Sequence, residues 1–255
     1  MSCKPFVLFN QPTYRILYIY NKVDLSFLQN IDRLVLDFFN GSDSLFLDGV
    51  AMTFTSGLTW APLYVALIYL VIKNNENMSQ IFLIIGCALG CIFLADGLSD
   101  YIVKPLVGRW RPTNDPVIKY TIDVVNNYRE NSFGFFSAHA ANTMSLAVFL
   151  CLLVRNKVFT FALVTWSLLN CWTRLYLGVH YPSDILVGLA WGVVVGIAMY
   201  FLFLKVYFKI SPKLNYVSSH YTSTGYSHDD IDIVMFVMCL VLAYVVVWGG
   251  IRFSL

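Results

Sequence analysis

Three short clusters carry the side chains that could hold, attack and protonate an anion: Lys104-x6-Arg111-Pro112, Phe136-Ser137-Ala138-His139 and Thr173-Arg174-x5-His180-x3-Asp184. A guanidinium meets phosphate through its planar fork, and an ammonium meets it as a point charge. Several cations around one anion also stabilise the charge that develops during phosphoryl transfer. Ser137 and His139 open an apolar run, where the free N–H groups of a helix start favour an anion. Pro182-Ser183 predicts another helix start, which puts Asp184 in a first turn. There its carboxylate can accept the N–H of His180 and fix the tautomer. Taken singly, each residue has a plainer explanation. Lys104, Arg109 and Arg111 could snorkel from a span end, Ser137 could be an N-cap, and His139 could be an interfacial histidine. Their recurrence in three clusters is what points to chemistry, and the residue types alone leave open which histidine attacks.

The elements that must position these groups lie in a membrane. Of 255 residues, 58% are hydrophobic and 13% charged, about half the charged fraction of an ordinary soluble domain, and the mean hydropathy is +0.66. A net charge of +2 gives no reason to expect a nucleic-acid partner. Runs of roughly 20 apolar residues predict spans at 50–72, 80–103, 138–154, 158–177, 184–208 and 232–251. The expected fold is thus all-α, a polytopic bundle of about six transmembrane helices. It divides into an N-terminal segment (1–49), a catalytic core (50–208) and a loop with an extra C-terminal helix (209–255). Residues 1–23 lack the continuous apolar stretch of a signal peptide. Of six cysteines, only Cys3 falls outside a span, and the Cys87/Cys91 pair has no companion at metal-ligand spacing.

With alternating crossings, all three clusters emerge on one membrane side. The other side collects Lys73, Arg155, Lys157, Lys205, Lys209 and Lys213, which favours it as cytoplasmic by the positive-inside rule, with Lys4, Arg15, Lys22 and Arg33 of the N-terminal segment weighing against. Ahead of the first span, Leu28, Ile31, Leu34, Val35, Phe38 and Phe39 form a stripe on a helix over 24–39, with Gln29, Asp32, Arg33 and Asp37 opposite. Such a helix either lies in the membrane interface or packs on the protein's own soluble face. Asp96, Asp100 and Lys104 share one helical face. Asp100 either aims the Lys104 ammonium or faces a wet cleft.

In this order and spacing the clusters resemble the three-part signature of the type 2 phosphatidic acid phosphatase superfamily, KxxxxxxRP, PSGH and SRxxxxxHxxxD, over residues 94–196. Phe136, Ala138 and Thr173 stand where that signature has Pro, Gly and Ser. The resemblance implies a metal-independent phosphatase that needs no cofactor. In that role His180 would attack phosphorus to form a phosphohistidine, and Asp184 would orient it. His139 would protonate the leaving oxygen. Lys104, Arg111, Ser137, Arg174 and, less directly, Thr173 would hold the phosphoryl oxygens. The implied partner is a phosphorylated membrane lipid, and no protein partner is identifiable.

The stretches Phe136–Thr143 and Leu58-Thr59-Trp60-x-Pro62 are similar to a bacterial branch that includes lipid A phosphatases and undecaprenyl diphosphate phosphatases. That implies lipid A phosphate or undecaprenyl diphosphate as substrate, in the bacterial inner membrane with the site facing the periplasm. Phosphatidylglycerophosphate and phosphatidic acid remain alternatives, as do a lipid phosphotransferase and a non-catalytic anion binder.

Overall fold

The computed structural model describes residues 27–130, 133–210 and 219–254. Cys3 and the reading of residues 1–23 as free of a signal peptide lie outside these. The described residues form helices, with no β-strand beyond an isolated bridge between Tyr221 and Ser227. In chain order the helices are α1 (27–39), α2 (Leu45–Thr55), α3 (Ala61–Lys73), α4 (Met78–Val107), α5 (Ala138–Val154), α6 (Lys157–Tyr176), α7 (Pro182–Ile210) and α8 (His228–Ser254).

The expected first span is not one helix. α2 and α3 meet at an angle of 68°. Ser56 is extended there, the Thr59 hydroxyl donates to the Thr53 carbonyl (2.7 Å), and Trp60 Nε1 donates to the Phe54 carbonyl (2.8 Å). Side chains thereby satisfy the carbonyls that the break frees from the helix ladder. The apolar run continues through this point, so hydropathy shows no break. Among the described residues, Met78–Val107, Pro182–Lys209 and His228–Ile251 are each long and apolar enough to cross a membrane, and the bent pair is a fourth if taken as one span. α5 is apolar but has 17 residues.

The core of the bundle is the α5–α7 seam. Gly188, Gly192 and Gly196 recur every four residues along α7 and face Ser137, Ala141 and Ser145 of α5. A Cβ on each would lie 2.6–2.7 Å from a carbonyl oxygen of that helix. Such small residues let two backbones approach closely where lipid supplies no hydrophobic drive. This close contact fixes the N-terminus of α5 beside that of α7, where the second and third clusters sit.

α8 crosses α2 at Gly49 and Gly249, where a Cβ on Gly49 would meet the Gly249 carbonyl at 1.7 Å. Its Ile231, Val234, Met238, Val241 and Val245 join the same buried apolar cluster as Trp60, Leu63, Phe149 and Trp166.

α1 departs from expectation in one residue. Leu28, Ile31, Leu34 and Phe38 are exposed, as an interfacial stripe requires, but Asp32 is buried rather than on the wet face. Helical periodicity assigns a charge to water by default. Here, tertiary contacts override it: Asp32 pins α1 to the protein beneath.

Candidate active site

The three clusters converge at one end of the bundle. Lys104 ends the π-helical turn Leu98–Val103 within α4, and its Nζ lies 2.5 Å from Asp100 Oδ1, one turn back. Ser137 is the N-cap of α5, its hydroxyl accepting from the Ala140 N–H (3.4 Å). Its own N–H donates to the Asp184 carbonyl (3.0 Å), tying the second cluster to the third. α6 delivers Arg174, the tight turn at Gly178 (φ +65°) carries the chain over to His180, and α7 opens at Pro182. Gly178 is required there because a Cβ would come within 2.5 Å of Ile122 as well as forcing a disfavoured φ.

At the centre, Arg174 is 0% exposed, and Arg111 and His180 are 1% exposed. Arg111 Nη1 lies 2.9 Å from His180 Nε2 and also donates to the Val179 carbonyl (3.1 Å). A guanidinium only donates, so Nε2 is the accepting nitrogen and the ring proton sits on Nδ1. That nitrogen faces Asp184 Oδ2 at 3.5 Å, longer than a formed hydrogen bond. Asp184 is itself held from two sides, by Arg109 Nη1 at Oδ1 (2.6 Å) and by the Tyr181 N–H at Oδ2 (3.0 Å). Burial first, then Arg111 and Arg174, hold the His180 imidazole well below its ordinary value of 6.5, so it is neutral at physiological pH. His139, on the first turn of α5, is exposed.

Arg174 Nη1 donates to the Thr55 hydroxyl (2.7 Å) and the Tyr128 hydroxyl (3.2 Å). The Thr173 hydroxyl proton is already committed: it is donated back to the Asn170 carbonyl (2.7 Å) within α6. Thr173 therefore stands beside the cluster with its proton turned into its own helix.

Three contributors lie outside the sequence signature. Glu130 bridges the two central arginines, with Oε2 2.7 Å from Arg111 Nη2 and Oε1 accepting from Arg174 Nη2. Burial raises its carboxyl, but Arg174 and Arg111, helped by both histidines, bring it down to about 2. Arg109 stacks on the Tyr181 ring (4.1 Å) and spans Asp184, Ser183 and Asp32. Asp32 in turn accepts from the Ser183 N–H (2.9 Å) and hydroxyl (2.6 Å). Glu130 lies in an irregular loop and Asp32 on an amphipathic face, so neither position carries a pattern that would reveal it. Arg109 is visible in the sequence as a third cation at the end of α4.

Chemically, two buried guanidinium groups able to take an anion stand beside a neutral, buried imidazole, and the His139 imidazole is exposed. Among the described residues no group of His, Cys, Asp and Glu is arranged to hold a metal ion.

The chain is similar to known proteins in sequence and in fold. The PAP2 superfamily model matches residues 82–208. The lipid A 4'-phosphatase of Bacteroides thetaiotaomicron is 38% identical over 183 residues, covering 71% of this chain and 81% of that protein. The lipid A 4'-phosphatase of Porphyromonas gingivalis is 29% identical, covering 71% and 76%. In fold, the chain resembles the crystal structure of a transmembrane PAP2-type phosphatidylglycerolphosphate phosphatase from Bacillus subtilis, with a TM-score of 0.54 at 20% identity over 79% of this chain and 96% of that one. A signature complete at every charged position, gathered at one end of the helix bundle, together with a family match over residues 82–208 and a 38% identical relative, leads to one conclusion: the chain belongs to the PAP2 superfamily, as one of its membrane phosphatases.

Proposed function

We propose that the protein removes a phosphate monoester from lipid A, with His180 as nucleophile. The observation that carries this is the pairing of His180 Nε2 with Arg111, with Nδ1 turned to Asp184. Arg111 and Arg174 would take two phosphoryl oxygens, and Lys104 would approach a third. As Arg111 turns from Nε2 to a phosphoryl oxygen, the freed Nε2 lone pair attacks phosphorus and the bond from phosphorus to the sugar oxygen breaks. His139 donates a proton to that oxygen. Water, deprotonated by His139, then attacks the phosphohistidine; orthophosphate leaves and Nε2 regains its lone pair. Asp184, which faces Nδ1–H at 3.5 Å, would close on it as charge grows on the ring and balance that charge.

The substrate class rests on the 38% identical lipid A 4'-phosphatase and on the site's place at a membrane face. Exposed Lys73, Arg155, Lys157, Lys205 and Lys209 at the other end of the bundle favour that end as cytoplasmic. The reading therefore places the protein in the bacterial inner membrane with the site facing the periplasm.

The test is phosphate release by detergent-purified protein, with EDTA present, from lipid A, undecaprenyl diphosphate, phosphatidylglycerophosphate and phosphatidic acid. Lipid A is expected to be the best substrate, with release persisting in chelator and lost in His180→Ala. A better rate on another lipid overturns the substrate assignment, and equal release by His180→Ala overturns the nucleophile. Phosphate passed to an added lipid alcohol in place of water would mark a transferase.

A further inference from the structure

Glu130 takes the seat that the proposed function gives to a phosphoryl group. One carboxylate oxygen on each of two guanidinium groups copies what two phosphoryl oxygens would do there. The arginines are fixed by burial at 0% and 1% exposure, whereas the Glu130 side chain is 23% exposed. Tyr128 donates to its Oε1 (3.1 Å), and Asn114 Nδ2 holds its main-chain carbonyl (2.6 Å). The backbone is thus anchored while the carboxylate keeps an open side. Of the two partners, Glu130 is the one able to move.

Charge balance decides when it moves. Lys104, Arg109, Arg111 and Arg174 meet four carboxylates here, and Asp100, Asp32 and Asp184 are taken up by Lys104 and Arg109. Glu130 is the carboxylate that pairs with both central arginines. A phosphate monoester is close to a dianion at neutral pH, so it gains more from two arginines than one carboxylate does. A phosphodiester carries a single charge and has no such advantage. Phosphodiester lipids are also the bulk anions of a bacterial membrane and would otherwise crowd the site.

We propose that Glu130 is a specificity-determining residue, an internal competitor for Arg111 and Arg174 that a doubly charged phosphate monoester displaces and a singly charged phosphodiester lipid does not. The inference rests on the phosphatase reading of the same site. Return of the carboxylate also helps product orthophosphate leave.

The experiment compares wild type, Glu130→Gln and Glu130→Asp in detergent. Inhibition of lipid A hydrolysis is measured with orthophosphate and with phosphatidylglycerol in mixed micelles, and the same two ligands are titrated against the thermal unfolding midpoint. Glu130→Gln is expected to bind orthophosphate about tenfold more tightly, the size of one charge-assisted hydrogen bond. It should also become sensitive to phosphatidylglycerol at concentrations the wild type ignores. Glu130→Asp should keep that exclusion. If Glu130→Gln binds both ligands no better than wild type, the competitor role is wrong. Weaker binding would mean that Glu130 organises the arginines, which also overturns the proposal. The unfolding titration reads the same ranking if Glu130→Gln has no turnover. Orthophosphate that stabilises wild type and variant alike sinks only this proposal; stabilisation of neither, together with no lipid hydrolysis, sinks the phosphatase reading with it.

Discussion

The two ends of this bundle are built from similar residue types and do different things. At one end, Arg111 and Arg174 are buried and share Glu130, Arg109 joins Asp184 to Asp32, and Lys104 joins Asp100. At the other, Lys73, Arg155, Lys157, Lys205 and Lys209 are exposed. The contacts at that far end tie helices together: Asn74 to Asp230, Asn156 to His228, and Arg155 to the Tyr200 hydroxyl. Charges at a span end are cheap when they reach water. Burying them is costly and persists where partners and function require it. Burial with shared counter-ions, more than the presence of cations, separates the site from an ordinary membrane face.

If that distinction holds, the largest effect comes from removing a shared cation. Arg174→Ala leaves Glu130 with Arg111 as its one remaining guanidinium, which costs about 1.5–3 kcal/mol, the size of a charge-assisted hydrogen bond. On the proposed function it also removes a phosphoryl contact, worth on the order of 10²–10³ in kcat. Phosphate release and thermal unfolding in detergent check both. An unfolding midpoint equal to wild type would show that the pairing is not structural.

A smaller effect is expected from Asp32→Asn. Asp32 touches neither imidazole; it reaches His180 through Arg109 and Asp184. A loss of about tenfold in kcat with little change in KM fits a positioning role, because one charge-assisted hydrogen bond is weakened. A change confined to KM would detach α1 from the catalytic step. Asp100→Asn should cost less, a few-fold at most in phosphate affinity, since it removes one half-exposed partner of Lys104.

The same contrast predicts how the site meets acid. Folding holds His180 neutral, so its protonation is opposed in the folded state as pH falls below 6.5. Glu130 is held at about 2 against an ordinary 4.5, so its contribution to stability is full above 4.5 and lost as pH falls towards 2. Both terms act in one direction, and acid destabilises. The acid limb of kcat/KM should lie below pH 6.5, because the proposed mechanism requires His180 unprotonated to attack. In Glu130→Gln the unfolding midpoint should fall less steeply below pH 4.5 than in wild type. A limb at or above 6.5 would mean that His180 is not shielded as its burial implies.

Much of this end of the molecule is written in local sequence. The spacings Lys104-x6-Arg111 and Arg174-x5-His180-x3-Asp184 survive folding because short turns and helix starts preserve them. Pro182 opens α7 where its fixed φ suits a first helical residue, and Ser137 caps α5. The rest depends on contacts distant in sequence. The bend at Ser56 interrupts an apolar run that hydropathy reads as continuous. Glu130 meets Arg174 across 44 residues, and Asp32 meets Arg109 across 77. Neither distance leaves a periodic trace, and an Asp on an amphipathic helix is assigned to water unless a buried partner overrides it.

The smallest expected effect is the sharpest check on the comparison. Arg155 is exposed at the far end, where its guanidinium donates to the Tyr200 hydroxyl (3.0 Å) and the Leu152 carbonyl (3.3 Å). It shares no carboxylate in these contacts, and water can replace both hydrogen bonds. Arg155→Ala should therefore leave stability within about 0.5 kcal/mol of wild type and leave kcat and KM unaltered, as thermal unfolding and phosphate release would show. Arg155 also adopts a left-handed backbone (φ +56°) at the C-cap of α5. The strain this imposes is common to arginine and alanine, so it does not add to the difference between them. A clear loss of activity in Arg155→Ala would mean that the two ends are energetically coupled through α5, and that burial alone does not mark the boundary of the site.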